Sequence, residues 1–238
     1  MQHLHSFGLT ALVLANASLL TAPARAQDAN TTISSTAGTE VPDPKGFYAT
    51  LGVGGAWPQN VNGSTNVFGV NVNGSYGLGG GFALETGAGY DFGPVRAELT
   101  YSYSHATLNS VTASALGQSV SASITNGGVN TNSVLASAYV DIPTKSRWVP
   151  YLGGGIGYTN VGWGAYSASA FGVTLTQTAG SKGVFGYQAK AGVSYLASKT
   201  TDVFVEATYQ GTSGFTVDQV NYDPLSSWGA RIGARYRF

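Results

Sequence analysis

Few side chains in this sequence are suited to catalysis or to metal binding. The chain of 238 residues contains no cysteine and three histidines, two of which lie within its first five residues. The remaining histidine, His105, follows Ser104, and a hydrolase or acyltransferase would need such a base within hydrogen-bond reach of its nucleophile. Asp218 and Asp223 are the acids of a later polar segment. No group of His, Asp and Glu has the spacing of metal ligands, so the sequence predicts no cofactor, and enzymatic activity is the least favoured function.

The charge content limits the partners and the surroundings of the chain. Charged residues make up 9% of it, compared with about 25% in a typical soluble domain. The formal net charge is zero, so nothing in the composition attracts nucleic acid. Charge this sparse does not cover a water-facing surface, which favours a chain whose outer surface contacts lipid.

The N-terminal region has the pattern of an export signal. Residues 1–26 contain an apolar stretch and end in Ala24-Arg25-Ala26, a small-x-small cleavage site, which predicts a cleaved signal peptide. A membrane anchor helix is less favoured, because the apolar run is short and Asn16 interrupts it. Residues 27–44 are polar and rich in Thr and Ser, with two prolines and no periodic apolar face, so we expect a flexible arm there.

From residue 45 onward the hydrophobic pattern has a period of two, which is typical of β-strands. Apolar and polar side chains alternate through eight stretches, each close to the 9–11 residues that a tilted strand needs to cross a bilayer. The stretches are 46–57, 82–92, 95–104, 133–142, 150–159, 184–195, 202–210 and 228–238.

The connections between these stretches alternate in length. Three are short, at 93–94, 143–149 and 197–201, whereas four are long and rich in Asn, Ser, Thr and Gly. Short periplasmic turns and long external loops are typical of outer-membrane barrels. The sequence therefore predicts an all-β fold over 45–238, an eight-stranded antiparallel up-and-down transmembrane β-barrel. Its external loops would be 58–81, 105–132, 160–182 and 211–226, and the weak alternation in the second suggests strands that extend beyond the membrane.

Aromatic residues cluster at both ends of the apolar rows, where amphipathic rings favour the two boundaries between lipid and water. We expect two aromatic girdles on the outer surface of the barrel. The outer girdle would contain Trp57, Phe82, Tyr103, Tyr158, Tyr187, Tyr209 and Trp228, and the periplasmic girdle Phe47, Phe92 and Tyr195, with Tyr236 and Phe238 on the same rim.

The polar rows carry long charged side chains among Gly, Ser and Thr, and these should face a narrow lumen. The inward charges are Arg96, Lys190, Arg231 and Arg235, with Glu85, Glu98, Glu206, Asp91 and Asp141. If the turn after 184–195 is centred on Ser198, Lys190 opposes Glu206 directly, and Glu206 also neighbours Arg231. Buried charges must be paired, so we expect a Lys190–Glu206–Arg231 cluster that plugs the barrel; independent hydration in a wet lumen is the alternative.

Several motifs in order resemble the small porin-like outer-membrane proteins of Gram-negative bacteria. They are FYATLGVGGAW, YDFGPVRAELTYSY, VPYLGGGIGY, FGYQAKAGVSYLAS, FVEATYQG and the terminal GARYRF. The chain is similar to the opacity-protein and major-surface-antigen types and to the transmembrane domain of outer-membrane protein A. The resemblance implies insertion by the outer-membrane assembly machinery, which would read the last strand, here Tyr236 and Phe238, as an insertion signal.

Three functions remain open on the sequence alone. The most favoured is a non-enzymatic barrel for structure and surface display, with external loops that serve envelope integrity, adhesion or antigenicity and contact an extracellular ligand. A narrow passive pore for small solutes is the alternative, since inward glycines leave room for a thin path. An outer-membrane hydrolase or acyltransferase built on His105 comes last.

Overall fold

Antiparallel strands contain most of the described residues. The computed structural model describes residues 45–170, 173–217 and 219–238; the predicted signal peptide and the predicted arm lie outside these ranges. The strands are β1 (Gly46–Pro58), β2 (Val61–Val67), β3 (Val70–Asp91), β4 (Val95–Ala115), β5 (Gln118–Asp141), β6 (Trp148–Trp163), β7 (Tyr166–Ala170), β8 (Val173–Gln177), β9 (Gly180–Leu196), β10 (Thr201–Thr212), β11 (Phe215–Val217), β12 (Val220–Tyr222) and β13 (Ser226–Arg237). Within the described ranges, no helix is long and apolar enough to cross a membrane.

Eight of these strands form a closed ring, which confirms the predicted barrel. Their order is β1, β3, β4, β5, β6, β9, β10 and β13, and every neighbouring pair is antiparallel. The first and last strands close the ring from Tyr48 opposite Arg237 to Pro58 opposite Ser227. Closure gives the edge strands backbone partners, which a sheet needs inside hydrocarbon.

Burial alternates with residue parity along the ring strands, as the period-two pattern predicts. In β10 the side chains of Asp202, Phe204 and Glu206 are buried in the lumen, whereas Val203 and Val205 are exposed on the outer surface. The outward rows thus consist of apolar side chains, and the inward rows hold nearly all the buried charge. This arrangement inverts that of a soluble protein and suits a lipid surrounding.

The two ends of the barrel differ in their connections. At one end, here called the short-turn end, β3 joins β4, β5 joins β6, and β9 joins β10 through brief turns. The other end is here called the long-hairpin end. The strands β3, β4 and β5 extend toward it and are 22, 21 and 24 residues long. Small hairpins formed by β7 with β8 and by β11 with β12 also lie there, paired with β5 and β2.

Much of the sequence that we predicted as loop is therefore strand. The segment 105–132 forms the extended hairpin of β4 and β5, as its weak alternation suggested, and 58–81 forms the hairpin of β2 and β3. Both hairpins turn at a bulky residue followed by glycine, Phe68-Gly69 and Leu116-Gly117. All four residues have positive φ, which matches the twist of a two-residue hairpin.

Candidate functional site in the barrel lumen

Four charged side chains meet at mid-height in the lumen and are called the central cluster. They are Glu85, Lys190, Glu206 and Arg231, from β3, β9, β10 and β13. Glu85 accepts a hydrogen bond from Lys190 Nζ and another from Arg231 Nη1 at 2.6 Å. Since β3 and β9 are separated by three strands on either side of the ring, the contact between Glu85 and Lys190 crosses the lumen.

Glu206 lies farther from the two cations of the central cluster than Glu85 does. Its Oε1 lies 3.3 Å from Lys190 Nζ and 3.7 Å from Arg231 Nη1, while Tyr151 donates its hydroxyl to Oε2 at 2.8 Å. All four charged side chains are buried. Two carboxylates thus face two cations, as a network removed from water requires.

The register that we predicted for the hairpin of β9 and β10 is wrong by two residues. Lys190 opposes Thr208, and Glu206 opposes Gly192. The turn is centred on Lys199 rather than Ser198, because the Ser198 hydroxyl accepts hydrogen bonds from two later backbone amides of the turn. Lys190 still reaches Glu206 because its long side chain spans the diagonal between the two strands.

Glu98, one of the inward charges predicted from the sequence, is buried in the lumen but lies apart from the central cluster. Among the described residues it forms no ion pair within 4.0 Å. Its carboxylate accepts hydrogen bonds from Thr50 at 3.1 Å, Thr100 at 3.5 Å and the Tyr139 hydroxyl at 3.4 Å. Hydroxyl groups from β1, β4 and β5 therefore satisfy this buried acid.

A second group of charges, the lower cluster, fills the lumen toward the short-turn end. Arg96 binds Asp141 through two hydrogen bonds of 2.7 and 2.9 Å. The lower cluster also contains Arg235 Nη1 at 3.2 Å from Asp202, Arg237 Nη1 at 2.7 Å from Asp202, and Arg237 Nη2 at 3.0 Å from Asp91. Three arginines and three aspartates balance here, so Arg96 and Arg235 lie outside the central cluster.

The alternation of the last strand places Arg237 on the inward row with Arg231 and Arg235, but the charge cluster predicted from the sequence included neither Arg237 nor Asp202. Both are buried, and together they connect the last strand to β10 and β3. Parity could have found Asp202, since it shares its face with Glu206. Both residues sit at strand ends, where the pattern alone does not tell an inward side chain from a solvated one.

Aromatic rings also face inward in the lower half, which the sequence analysis did not foresee. The Arg96 guanidinium lies 4.7 Å from the ring centre of Tyr139, and that of Arg235 lies 4.4 Å from the ring centre of Phe204. Glycine makes room for one of these rings, because a Cβ at Gly153 would lie 2.1 Å from Tyr139 Cδ1. The rings contact the cations over their faces, where the electrons of the ring attract a positive charge.

The residues assigned to girdles lie on the outer surface at the two ends of the barrel wall. Toward the long-hairpin end, Trp57 opposes Trp228, and the Trp228 ring centre lies 4.9 Å from that of Tyr209. Toward the short-turn end, Phe47 and Tyr90 rings meet at 4.9 Å. Phe82, Tyr158, Tyr187, Phe92, Tyr236 and Phe238 are exposed, while Tyr103, Tyr195 and Tyr209 are half-buried.

The last residues close the barrel at the short-turn end. Phe238 donates its backbone N–H to the Phe47 carbonyl at 3.1 Å, and its side chain is exposed. Its ring packs edge-on against Tyr236 at 5.4 Å. The final strand therefore presents two aromatic side chains outward while Arg235 and Arg237 point inward.

Ser104 and His105 point to opposite faces of β4, because neighbouring strand residues alternate. Ser104 Oγ lies 2.6 Å from Thr131 Oγ1, whereas His105 Nδ1 lies 2.7 Å from Asn130 Oδ1 and its ring faces Phe82. The pair cannot meet as nucleophile and base, and Asp218 lies outside the described residues. Across the described ranges, no three His, Cys, Asp or Glu side chains gather as metal ligands.

A closed ring of eight strands with an apolar exterior and an ion-paired interior defines an outer-membrane β-barrel. Residues 72–231 match the sequence model of a family described as surface antigen. The chain belongs to this surface antigen family. Among curated proteins, no sequence matches the chain.

Several solved structures are similar to this chain at low sequence identity. The outer membrane protease OmpT from Escherichia coli has a TM-score of 0.51 at 9% identity, and the match covers 82% of this chain and 97% of that chain. Neisserial surface protein A has a TM-score of 0.46 at 20% identity, covering 81% and 97%. The outer membrane protein OprG from Pseudomonas aeruginosa has a TM-score of 0.49 at 15% identity, covering 83% and 98%.

Proposed function

We propose that this protein is a non-enzymatic surface-display barrel in the outer membrane of a Gram-negative bacterium, exported through a cleaved signal peptide. Its external segments would contact an extracellular ligand and serve adhesion, antigenicity or envelope integrity. Membership of the surface antigen family supports this function. The segments concerned are 58–81, 105–132, 160–182 and 211–226.

The filled lumen is the observation that carries the proposal. The central cluster crosses the lumen, and inward Tyr139, Tyr151 and Phe204 pack directly below it together with the ion pairs of the lower cluster. A barrel filled in this way acts as a rigid anchor, because an eight-stranded ring has just enough interior for its own side chains. The long hairpins at one end are then the parts available for contact.

Lipids and the assembly machinery are the partners that the outer surface favours. Exposed apolar rows run between two bands of aromatic rings, and such rings favour the boundary between lipid and water. In this proposal, the assembly machinery reads Tyr236 and Phe238 as the insertion signal. Their outward position on the last strand leaves both rings available to that machinery before the barrel closes.

Epitope tags at opposite ends of the barrel test the display function. A tag inserted between Leu116 and Gly117, at the turn of the long hairpin of β4 and β5, should bind antibody on intact cells. A matched tag at Lys199, in the short turn after β9, should bind antibody only after the outer membrane is permeabilised. Equal labelling of both tags on intact cells, or labelling of the Lys199 tag alone, would contradict the proposal.

A narrow passive pore is the second candidate, and cavities on both sides of the central cluster favour it. One of about 390 Å³ lies at the short-turn end among Arg96, Asp141 and Arg237. A smaller one of about 40 Å³ lies above the cluster beside Ser133 and Gln210. Conduction requires the central cluster to part, which would separate buried charges from their partners. Ion current across planar bilayers distinguishes a pore from a closed anchor.

A further inference from the structure

The inward rows change from charged to apolar toward the long-hairpin end. Along β9 the inward side chain is Lys190 at mid-height, then Gln188, and Val184 beyond it. Along β4 the same change runs from Glu98 to Leu108. Above the polar layers, Val61, Val161, Val184 and Leu225 pack together as a buried apolar layer. Four hydrophobic side chains inside the lumen are not needed for contact with lipid.

A cavity of about 200 Å³ lies within this apolar layer. Its walls come from the barrel and from the small hairpins at the long-hairpin end, and include Leu78, Leu108, Val129, Val161, Trp163 and Phe215. Leu108 and Val161 are buried, Trp163 is half-buried, and Gln177 at the rim is exposed. Gln177 is the one exposed residue among the described residues that line the cavity, so the cavity opens where Gln177 lies.

The chemistry of the walls selects for uncharged molecules. The described residues that line the cavity include no Lys, Arg, His, Asp or Glu, and Gln177 is their single amide. The Tyr166 hydroxyl is uncharged at neutral pH, and burial raises its pKa further above the ordinary value. An apolar cavity of about 150 Å³ in another protein stays dry and binds benzene, so a space of about 200 Å³ holds a single substituted ring.

We infer that this cavity is a binding pocket for a small uncharged apolar molecule of the size of one substituted aromatic ring. The floor of the pocket supports binding rather than passage. Leu78, Val129 and Leu225 also line the cavity of about 40 Å³ beneath it, which is too small for a ring. Below that space, Gln188 donates to Ser137 at 2.9 Å and Gln210 donates to Ser102 at 3.1 Å, which closes the way to the central cluster.

The fluorescence of Trp163, which lies in the wall of the pocket, can report whether a molecule occupies the pocket. Replacing the other three tryptophans by phenylalanine leaves Trp163 as the single reporter in the refolded full chain. The probe is 4-nitrotoluene, a single-ring molecule whose nitro group quenches indole fluorescence, added to protein in lipid nanodiscs. We expect saturable quenching of Trp163 that non-quenching toluene reverses. The control is a second protein that retains only Trp57, which lies on the lipid-facing surface. Its quenching should rise linearly with the concentration of 4-nitrotoluene in the lipid, and toluene should not change it.

A larger side chain that fills the pocket should abolish the saturable part of the Trp163 quenching. Val129→Phe, in the wall, should weaken 4-nitrotoluene binding at least tenfold, whereas Val134→Phe, on the outer surface of the same strand, should leave it unchanged. If Val129→Phe does not refold by gel mobility, Val217→Phe at the rim, in the three-residue β11, makes the same test. Linear quenching of Trp163 that toluene does not reverse, or saturable quenching that survives the filling substitution in a folded protein, overturns the inference.

Discussion

The two halves of the lumen are packed with different kinds of side chain. Toward the short-turn end, the central and lower clusters fill the lumen with charges whose partners come from strands far apart in sequence. Toward the long-hairpin end, Val161, Leu225 and their neighbours line it with apolar side chains around a cavity of about 200 Å³, whereas the cavity of about 390 Å³ at the short-turn end is lined by the charges of the lower cluster. A charge network holds only while every member has its partner, whereas an apolar layer tolerates a gap at a moderate cost.

The largest expected effect comes from breaking the central cluster at Glu85. Glu85→Ala leaves Lys190 and Arg231 with only the more distant Glu206, and an uncompensated buried charge costs about 3–5 kcal/mol. Glu206→Ala should also lower stability, but by less, because the hydrogen bonds from both cations go to Glu85. Urea unfolding of the refolded protein in lipid vesicles measures both. If Glu206→Ala lowers the free energy of unfolding more than Glu85→Ala does, the prediction that Glu85 contributes more to stability than Glu206 is wrong.

Truncation in the apolar layer should cost less than loss of Glu85. Leu225→Ala removes a buried side chain beside the cavity, and the expected loss is about 3 kcal/mol, near the lower end for such changes. The control is Leu152→Ala on the exposed outer surface, measured in the same urea series. If Leu225→Ala destabilises the barrel more than Glu85→Ala, the contrast between the two halves of the lumen is wrong.

A neighbouring pair of glycines tests how tightly the lower half is packed. A Cβ at Gly153 would lie 2.1 Å from Tyr139 Cδ1, whereas a Cβ at Gly154 would meet nothing nearer than the Gln188 carbonyl oxygen at 3.5 Å. Gly153→Ala should therefore cost about 2 kcal/mol through overpacking, and Gly154→Ala should be close to neutral. Thermal unfolding followed by gel mobility compares them, and equal midpoints would show that the Tyr139 ring is free to move.

The smallest effect is expected at the tips of the long hairpins. Phe68 and Leu116 are exposed and have a φ of 50°, a conformation that asparagine adopts more readily than bulky residues do. Phe68→Asn and Leu116→Asn should each raise stability by about 1 kcal/mol or less. Urea unfolding checks this, and a loss of stability in either variant would mean that the apolar side chain contacts the rest of the hairpin.

The sequence predicted the ring better than the contacts inside it. Alternation of apolar and polar residues was enough to find eight strands and the inward row of Arg231 and Arg235, since side-chain direction in a strand depends only on parity. The register of β9 with β10 depends on how the Ser198 hydroxyl shapes the turn, which parity does not report. The contact between Glu85 and Lys190 joins residues that are 105 positions apart, so only the closed barrel reveals it.

Reasoning from the sequence also treated the interior as polar along its whole length. The apolar residues of the long-hairpin end occur in segments rich in Asn, Ser and Gly. In the sequence alone, Val161 and Leu225 therefore resemble isolated apolar residues in loops. They pack with Val61 of β2 and Val184 of β9, and with the partly buried Leu78 and Val129 on the parts of β3 and β5 that extend beyond the predicted stretches. The apolar layer and its cavity therefore follow from strand length rather than from local composition.

The most direct test of a closed lumen is ion current through single refolded barrels in planar bilayers. The wild-type protein should pass no steady current, because Glu85 and Lys190 meet across the lumen. The variant Glu85→Ala/Lys190→Ala/Gln188→Ala/Gln210→Ala removes the charge pair and also the two glutamines that close the lumen above it. It leaves Arg231 beside Glu206, so it should open a measurable conductance. A steady current through the wild-type protein would contradict the closed barrel.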